Sequence, residues 1–314
     1  MKKIALVFPG QGSQCVGMGR ELHDAFPAAR EVFEQADRIL GMPLSRIIFD
    51  GPDEELNRTD VAQPALLTVE VAAYRALTSR WQLPAEATLA AGHSLGEYAA
   101  WVAAGVLSFE AALKTVQLRG VLMQAAAAEV PGGMAAVLGG SSAEVEELCR
   151  QADGEGEIQP ANYNCPGQIV VSGSQTALER FRALAAEKKI KVMPLKVSGA
   201  FHSKFMQPAA EGLAKHLQTV VFENPRFPVV ANATAEAVES ADGVVSLLVR
   251  QVAGSVRWEE SVRRLAGLGA ESFIEIGPGK VLRGLLKKIV PEIPSQGAFS
   301  AEEIEAVVSA FPLG

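Results

Sequence analysis

The segment Gly92-His93-Ser94-Leu95-Gly96 has residue types and spacing that could support nucleophilic catalysis. An apolar stretch precedes it and a helical stretch follows it, as in a nucleophile elbow, the sharp strand-to-helix turn that exposes a serine. The two glycines permit the tight turn, and the N–H groups at the start of the next helix favour negative charge developing near Ser94. The alternative is an ordinary serine N-cap on a core helix.

A nucleophilic serine needs a base, and the chain contains four histidines. His23 and His216 lie in helical stretches and are expected to be exposed, whereas His93 should point away from the serine that follows it. His202 lies in a turn between a strand and a helix. Such turns hold the carboxyl edge of a parallel sheet, where Ser94 should also lie, so we predict a Ser94–His202 pair.

A third, acidic member of this pair is not apparent from the sequence. The usual α/β-hydrolase order places the acid between serine and histidine. The acids in that interval lie mostly on predicted surface helices or in the run 153–157. We therefore predict a dyad whose imidazole is oriented by an amide or a backbone carbonyl.

Arg119 falls on the apolar face of a helix predicted over 108–127. At about 100° per residue, Glu110 and Lys114 mark the solvent face, and Arg119 lies roughly opposite, near Met123. A buried arginine is costly unless an anion pairs with it. The alternatives are an ion pair with an acid of the protein, a guanidinium that reaches a surface edge, or a substrate carboxylate held by the planar fork. The last predicts an acyl substrate with a free acid at its far end.

The turn Gly10-Gln11-Gly12-Ser13-Gln14 follows the first predicted strand. Cys15 stands where a dinucleotide-binding fingerprint needs glycine, and no P-loop Lys-Ser/Thr follows, so the turn does not predict phosphate binding. The backbone N–H of Gln11 could instead supply half of an oxyanion hole, with the N–H of Leu95 as the other half. The alternative is a tight turn that needs glycine only for its dihedral angles.

The elements that must position these residues alternate between strands and helices, which predicts an α/β fold with a mostly parallel sheet covered on both faces. In the middle of the chain, the predicted elements follow the order strand-helix-strand-strand-helix-strand, which is ferredoxin-like. We predict a large α/β-hydrolase-like catalytic domain formed by 1–127 and 199–314, with an inserted ferredoxin-like small domain at 128–198.

The sequence also predicts where some helices begin. Asp60 and Ser108 are expected to cap helices, and Thr176 with Glu179 has capping-box spacing. The segment from Pro291 is expected to be a peripheral tail.

Composition and charge exclude several function classes. The 314 residues are 48% hydrophobic and 21% charged, as in an ordinary globular enzyme, and the net charge of −7 disfavours a nucleic-acid binder. The three cysteines match no zinc spacing and predict reduced thiols in a cytoplasmic protein. The most apolar window, 88–107, contains His93 and Glu97, so we predict no membrane span and no membrane partner.

Together these segments resemble the malonyl-CoA–acyl carrier protein transacylases of type II fatty acid synthesis, which are related to the acyltransferase domains of polyketide and fatty acid synthases. The resemblance covers nearly the whole chain. Its motifs are Phe8-Pro9-Gly10-Gln11-Gly12-Ser13-Gln14, Gln63-Pro64-Ala65, Gly92-His93-Ser94-Leu95-Gly96-Glu97, Arg119, Asn162, Ala200-Phe201-His202, Arg250-Gln251 and Ile276-Gly277-Pro278-Gly279.

The resemblance implies catalytic and binding roles. Ser94 would be the nucleophile that becomes malonylated, His202 its general base and acid, and Arg119 the residue that holds the malonyl carboxylate. The backbone amides of Gln11 and Leu95 would form the oxyanion hole.

The resemblance also implies four supporting residues. The backbone carbonyl of Gln251 would orient His202, and Gln63 and Asn162 would line the pocket. In related acyltransferases a phenylalanine directly before the histidine accompanies malonyl substrates, so Phe201 supports malonyl through steric exclusion beside the α-carbon.

The implied reaction is ping-pong acyl transfer with no metal or redox cofactor, in which malonyl-CoA is a substrate. The implied partners are malonyl-CoA and an acidic acyl carrier protein, and the oligomeric state stays open, with a monomer as the expectation. Carrier docking on this acidic chain would need a local basic cluster. The candidates are Lys188, Lys189, Lys191 and Lys196, or Lys280, Arg283, Lys287 and Lys288. The rival functions are a hydrolase that uses the same elbow and a carrier-protein scaffold with an inactive site.

Overall fold

The computed structural model describes residues 2–154 and 156–311. The strands, in chain order, are β1 (Ile4–Phe8), β2 (Thr88–Gly92), β3 (Gly132–Leu138), β4 (Ile158–Cys165), β5 (Gln168–Ser174), β6 (Lys191–Pro194), β7 (Val229–Val230), β8 (Ala237–Val238), β9 (Ser272–Glu275) and β10 (Ser295–Gly297).

The helices alternate with these strands. In chain order they are α1 (Arg20–Ala25), α2 (Pro27–Leu40), α3 (Leu44–Asp50), α4 (Asp53–Leu56), α5 (Thr59–Arg80), α6 (Gly96–Ala103), α7 (Phe109–Glu129), α8 (Ser142–Ala152), α9 (Gln175–Glu187), α10 (Gln207–Leu217), α11 (Val244–Ala253), α12 (Trp258–Gly267), α13 (Val281–Ile289) and α14 (Ala301–Ala310).

The larger sheet has the strand order β10-β9-β1-β2-β7-β8, with every pair parallel except β7–β8. β1 lies inside the sheet and is buried along its whole length, as expected for an apolar strand covered on both faces. The β1–β2 register places Phe8 beside Gly92. The turns that follow these two strands therefore meet at one edge, and the N–H of His93 donates to the carbonyl of Phe8 at 2.9 Å. The prediction of an α/β-hydrolase-like core is confirmed.

The second sheet is antiparallel, with the order β4-β5-β3-β6, and it packs against α8 and α9 around its own apolar cluster. This is the predicted ferredoxin-like arrangement. Backbone hydrogen bonds join it to the larger unit, from Tyr163 N–H to the Val256 carbonyl at 2.9 Å and from Val256 N–H to the Ala161 carbonyl at 2.8 Å. The boundaries at 128 and 198 stay a prediction, and Glu155, within the predicted small domain, lies outside the described residues.

The helix starts follow the sequence in part. Ser108 caps α7, because its hydroxyl accepts a hydrogen bond from the N–H of Ala111 at 3.1 Å. The prediction that Asp60 caps α5 is wrong. The helix begins at Thr59 with Arg58 at the N-cap position, and the Asp60 carboxylate pairs with Arg58. The predicted capping box at Thr176 is also wrong, because the cap is Ser174. In both cases the helix begins one residue before the side chain that we predicted to cap it.

The C-terminal segment is part of the core and not the peripheral tail that we expected from Pro291. β10 extends the larger sheet by pairing with β9, and α14 packs against α5. Ile304 and Val307 of α14 are fully buried. The short length of β10 and its polar composition left no strand signal in the sequence, and residues 312–314 lie outside the described part of the chain.

Glu70 on α5 is completely buried, and neither of its carboxylate oxygens has a hydrogen-bond partner among the described residues. Burial raises the pKa of Glu70 well above its usual value, and the nearby Glu275 raises it further. The unfolded chain therefore loses this proton at a lower pH than the folded chain. Between the two pKa values, stability falls by about 1.4 kcal/mol for each pH unit.

We expect Glu70→Gln to remove this loss of stability. The variant should therefore gain stability relative to the wild-type protein as the pH rises from the ordinary glutamate pKa of 4.5 towards the raised pKa of the folded state. Chemical denaturation at several pH values measures the effect. Glu187→Gln removes the same charge from an exposed position and should show no such gain. Parallel stability curves for the wild type and Glu70→Gln would contradict the expectation.

Candidate active site

The turn between β2 and α6 has the geometry of a nucleophile elbow. Ser94 adopts a left-handed conformation with a φ of 52°. A Cβ atom at Gly92 would lie 1.9 Å from the carbonyl carbon of Gly96, and one at Gly96 would lie 2.2 Å from the carbonyl oxygen of Phe8. Strand and helix can approach this closely only because both positions are glycine.

Asn232, which the sequence analysis missed, holds this strained turn in place. Its side-chain oxygen accepts from the N–H of Ser94 at 2.7 Å, and its amide nitrogen donates to the carbonyl of Gly92 at 2.7 Å. These two bonds bridge the residues on both sides of the bend, which offsets the cost of the positive φ. Asn232 lies two residues after β7. A polar residue just beyond the short apolar run Val229–Val230 was therefore the signal that could have found it.

Ser94 and His202 meet at the carboxyl edge of the larger sheet. Ser94 Oγ lies 2.7 Å from Nε2 of His202, and Nδ1 of His202 lies 2.8 Å from the carbonyl oxygen of Gln251. Because a carbonyl can only accept, Nδ1 carries the proton and Nε2 presents its lone pair to the serine hydroxyl. The group that orients the imidazole is thus the backbone carbonyl of Gln251. The sequence had left open either an amide or a backbone carbonyl.

Burial and, to a smaller extent, the positive charge of Arg119 lower the pKa of His202 to about 3. The imidazole is therefore neutral at neutral pH and can accept a proton. The side-chain amide of Gln159 donates to the His202 carbonyl at 3.1 Å, which helps to hold a residue whose own φ is 56°.

Arg119 is 2% exposed and lies beside the serine. Its Nη2 donates to Ser94 Oγ at 3.2 Å and to the side-chain oxygen of Gln251 at 3.0 Å, and its Nη1 donates to that of Gln63 at 2.7 Å. Within the described residues no carboxylate forms an ion pair with this guanidinium, and its Nε has no acceptor. Of the alternatives raised by the sequence, neither an ion pair with an acid nor a surface edge describes this arginine.

A cavity of about 760 Å³ opens over these side chains. The predicted site residues that line it are Gln11, Ser94, Leu95, Arg119, Asn162, Phe201 and His202. Gln63 and Gln251 are completely buried behind the guanidinium and contribute through Arg119. Among the turn and loop hydrogen bonds of residues 2–154 and 156–311, none has the N–H of Gln11 or Leu95 as its donor. The oxyanion hole formed by these two groups stays a prediction.

The cavity lies between the two sheets. The turns that follow β1 and β2, together with α7, supply one wall. The small sheet supplies Met134 and Asn162, and the segment 195–198 that follows its last strand completes this side. At the rim, Ser198 Oγ contacts Thr59 Oγ1 at 3.3 Å and donates to the side-chain oxygen of Gln124 at 3.2 Å. The small domain is therefore one side of the site.

Within the part of the chain that the structure describes, none of the other three histidines forms a hydrogen bond with the Ser94 hydroxyl, whose partners are His202 and Arg119. His93 Nε2 contacts the side-chain oxygen of Asn164 at 2.9 Å, and its ring packs against Trp258. His23 and His216, which we expected to be exposed, are partly buried: the former packs against two phenylalanines, and Nε2 of the latter lies 3.0 Å from Thr115 Oγ1.

The described residues also bear on metal binding and on the membrane. The described residues contain no group of three or more His, Cys, Asp or Glu side chains that could hold a metal ion. In the same part of the chain, no helix combines the length and apolar character needed to span a bilayer. The expected absence of a cofactor stays a prediction.

Comparison with known proteins gives matches over nearly the whole chain. Residues 5–307 match the family described as the acyl transferase domain. Among curated relatives, the malonyl CoA-acyl carrier protein transacylase of Bacillus subtilis is 43% identical over 310 residues, covering 98% of this chain and 97% of the relative. The protein of the same name from Escherichia coli K12 is 41% identical over 316 residues, covering all of both chains.

Solved structures give the same result. The acyl-carrier-protein-S-malonyltransferase of Bartonella henselae superposes with a TM-score of 0.94 at 42% identity, covering 98% of this chain and 99% of that chain. A malonyl-transacylase in complex with its type II PKS acyl-carrier protein superposes with a TM-score of 0.95 at 38% identity, covering 99% and 100%.

The depressed pKa of His202 gives a direct spectroscopic expectation. Because the folded protein resists protonating this ring until the pH approaches about 3, its ring nitrogens should keep the chemical shifts of a neutral imidazole from pH 8 down to about 5. Nitrogen-15 NMR of the histidine side chains measures this, with His202→Gln to assign the signal. A titration midpoint between 6 and 7, roughly the value of a free imidazole, would contradict the burial argument.

Proposed function

The chain belongs to the acyl transferase domain family, and we propose that it transfers the malonyl group from malonyl-CoA to the phosphopantetheine thiol of acyl carrier protein. The transfer passes through a malonyl ester on Ser94 and supplies malonyl carrier protein for fatty acid synthesis. The observation that carries this proposal is the buried guanidinium of Arg119, which lacks a carboxylate partner among the described residues and lies 3.2 Å from Ser94 Oγ.

The charge of Arg119 selects the acyl group. A cation buried among neutral amides is stabilised by an anion that enters the cavity, and the guanidinium fork suits a carboxylate. The three-carbon malonyl group carries such a carboxylate at a short distance from its thioester carbon. Phe201, 5% exposed beside the histidine, limits space near the α-carbon and supports malonyl over branched analogues.

The first half-reaction forms the acyl-enzyme. His202 Nε2 takes the hydroxyl proton of Ser94 while Oγ attacks the thioester carbonyl carbon. The N–H groups of Gln11 and Leu95 hold the resulting oxyanion, a contribution of about 3–4 kcal/mol for each well-placed donor. When the tetrahedral intermediate collapses, the carbon–sulfur bond breaks and the imidazolium returns its proton to the CoA thiolate.

The second half-reaction reverses these roles with a different thiol. His202 takes the proton from the phosphopantetheine thiol, whose sulfur attacks the malonyl ester. The carbon–oxygen bond to Ser94 breaks, and the serine recovers its proton from the imidazolium. The thiol must react with the ester faster than water does at this stage. The apolar side chains of Met123, Met134 and Phe201 in the cavity wall favour the exclusion of water.

The carrier protein reaches this cavity over its rim. Of the two basic clusters considered from the sequence, the one at 188–196 continues into the cavity wall, because Lys196 lines it. In the other cluster, Arg283 already pairs with Glu275 at 3.1 Å and with Glu303 at 3.2 Å. This favours the first cluster as the carrier-docking surface.

The function is tested by mixing the protein with malonyl-CoA and measuring the intact mass, followed by peptide mapping. We expect one added malonyl group on the peptide that contains Ser94, no addition in Ser94→Ala, and transfer of the group to carrier protein that bears its phosphopantetheine arm. Rapid release of free malonate would indicate the rival hydrolase. Undiminished transfer by Ser94→Ala would indicate a scaffold that takes no part in the chemistry.

Arg119→Ala should lower kcat/KM for malonyl transfer by about a hundredfold or more, because a buried charge pair is lost, while acetyl transfer falls much less. Steady-state kinetics with malonyl-CoA and acetyl-CoA measure the two effects on the same variant. Acetyl-CoA differs only by the missing carboxylate and so controls for damage to the fold. An equal loss with both substrates would assign Arg119 a structural role.

A further inference from the structure

Glu97 is a buried carboxylate that the reaction steps above do not use. It lies in the first turn of α6 and is completely inaccessible to solvent. Its Oε2 accepts hydrogen bonds from the N–H of Asn232 and from the side-chain amide of Gln251, both at 2.9 Å. Its Oε1 accepts a longer bond from the indole of Trp101 at 3.3 Å. Glu97 is thus attached to the elbow through Asn232 and to the cation through Gln251.

The side-chain amide of Gln251 lies between Glu97 and Arg119. Its oxygen accepts from Nη2 of Arg119 at 3.0 Å, and its nitrogen donates to Glu97 Oε2 and to the Ser94 carbonyl. A guanidinium can only donate, and an ionised carboxylate can only accept. The orientation of the amide is therefore fixed from both ends, and the two charged groups are connected through one neutral amide without touching each other.

We propose that Glu97 is a specificity-determining residue that acts through Gln251: its charge offsets that of Arg119 and so sets how strongly the cavity prefers a carboxylated acyl group to a neutral one. This inference rests on the proposed function, because it takes Arg119 as the carboxylate-binding group. Glu97 does not touch the substrate.

The protonation state of Glu97 changes close to neutral pH. Burial raises its pKa to about 7, against the opposing effects of its hydrogen-bond donors and of Arg119 on α7. The other titratable group facing it is Tyr98 on its own helix, whose pKa burial raises, so that this phenol stays neutral. Below pH 7, Glu97 is protonated and the charge of Arg119 is unopposed. Above pH 7, Glu97 is ionised and the cavity attracts an acyl carboxylate less strongly.

The partial offset of the Arg119 charge by Glu97 has a functional consequence for a transferase. An unopposed buried cation would bind the malonyl carboxylate tightly in both the substrate and the product complex. The charge of Glu97, on the far side of Gln251, weakens carboxylate binding equally in the substrate complex and in the product complex. Malonyl carrier protein can therefore dissociate.

The experiment separates binding from chemistry by using Ser94→Ala as the background. Isothermal titration calorimetry gives Kd for malonyl-CoA and acetyl-CoA between pH 6 and 8, and the ratio of the two Kd values cancels any titration of the shared CoA moiety. In the background protein, the preference for malonyl-CoA should decrease as the pH rises through about 7. Adding Glu97→Gln should raise that preference by about tenfold at pH 8, a difference of roughly 1.4 kcal/mol, and remove its pH dependence.

Two further variants complete the design. Glu97→Asp keeps the charge and should keep the pH dependence, whereas Glu70→Gln, which neutralises a buried acid outside this network, should leave the preference unchanged. An unchanged preference and pH dependence in Glu97→Gln would overturn the inference, as would an equal loss of affinity for both ligands. If the background protein binds both ligands equally at every pH, the carboxylate role of Arg119 fails instead, and with it the proposed function.

Discussion

A positive charge kept inside the protein without a carboxylate in contact is the constraint on which the rest of the site depends. Burying the Arg119 guanidinium costs several kcal/mol unless hydrogen bonds and a counter-charge compensate. The compensation comes from the side-chain oxygens of Gln63 and Gln251, with Glu97 one amide further away. Because these acceptors are neutral, the cation keeps its attraction for an incoming anion.

Gln251 connects this charge to Ser94 and His202. Its backbone carbonyl fixes the tautomer of His202, while its side chain holds Arg119 and the carbonyl of Ser94. One residue on α11 therefore holds Ser94, His202 and Arg119 in position together. After burial, the charge of Arg119 is the next largest cause of the lowered pKa of His202, so the guanidinium helps to keep this imidazole neutral.

Both sheets are needed to complete the site. The parallel sheet presents Ser94 and the turn at Gln11 on one edge, because β1 and β2 are adjacent and end together. The antiparallel sheet supplies the opposite wall, including Asn162, and the segment that leaves it carries His202. A cavity between two packed units can be narrow enough to exclude water and still open at its rim to a long pantetheine arm.

The sequence by itself determined the chemistry carried by single residues and short motifs. The glycine spacing around Ser94 gave the elbow, elimination among four histidines singled out His202, and helical periodicity placed Arg119 on an apolar face, because these signals are local and periodic. Asn232, Glu97 and the strand β10 were decided only by the tertiary structure. Their roles depend on contacts with residues far away in the chain, such as the 135 positions between Glu97 and Asn232, and no local pattern encodes such contacts. For the same reason, the sequence left open whether an internal acid neutralises Arg119, since only packing determines which side chains surround a buried charge.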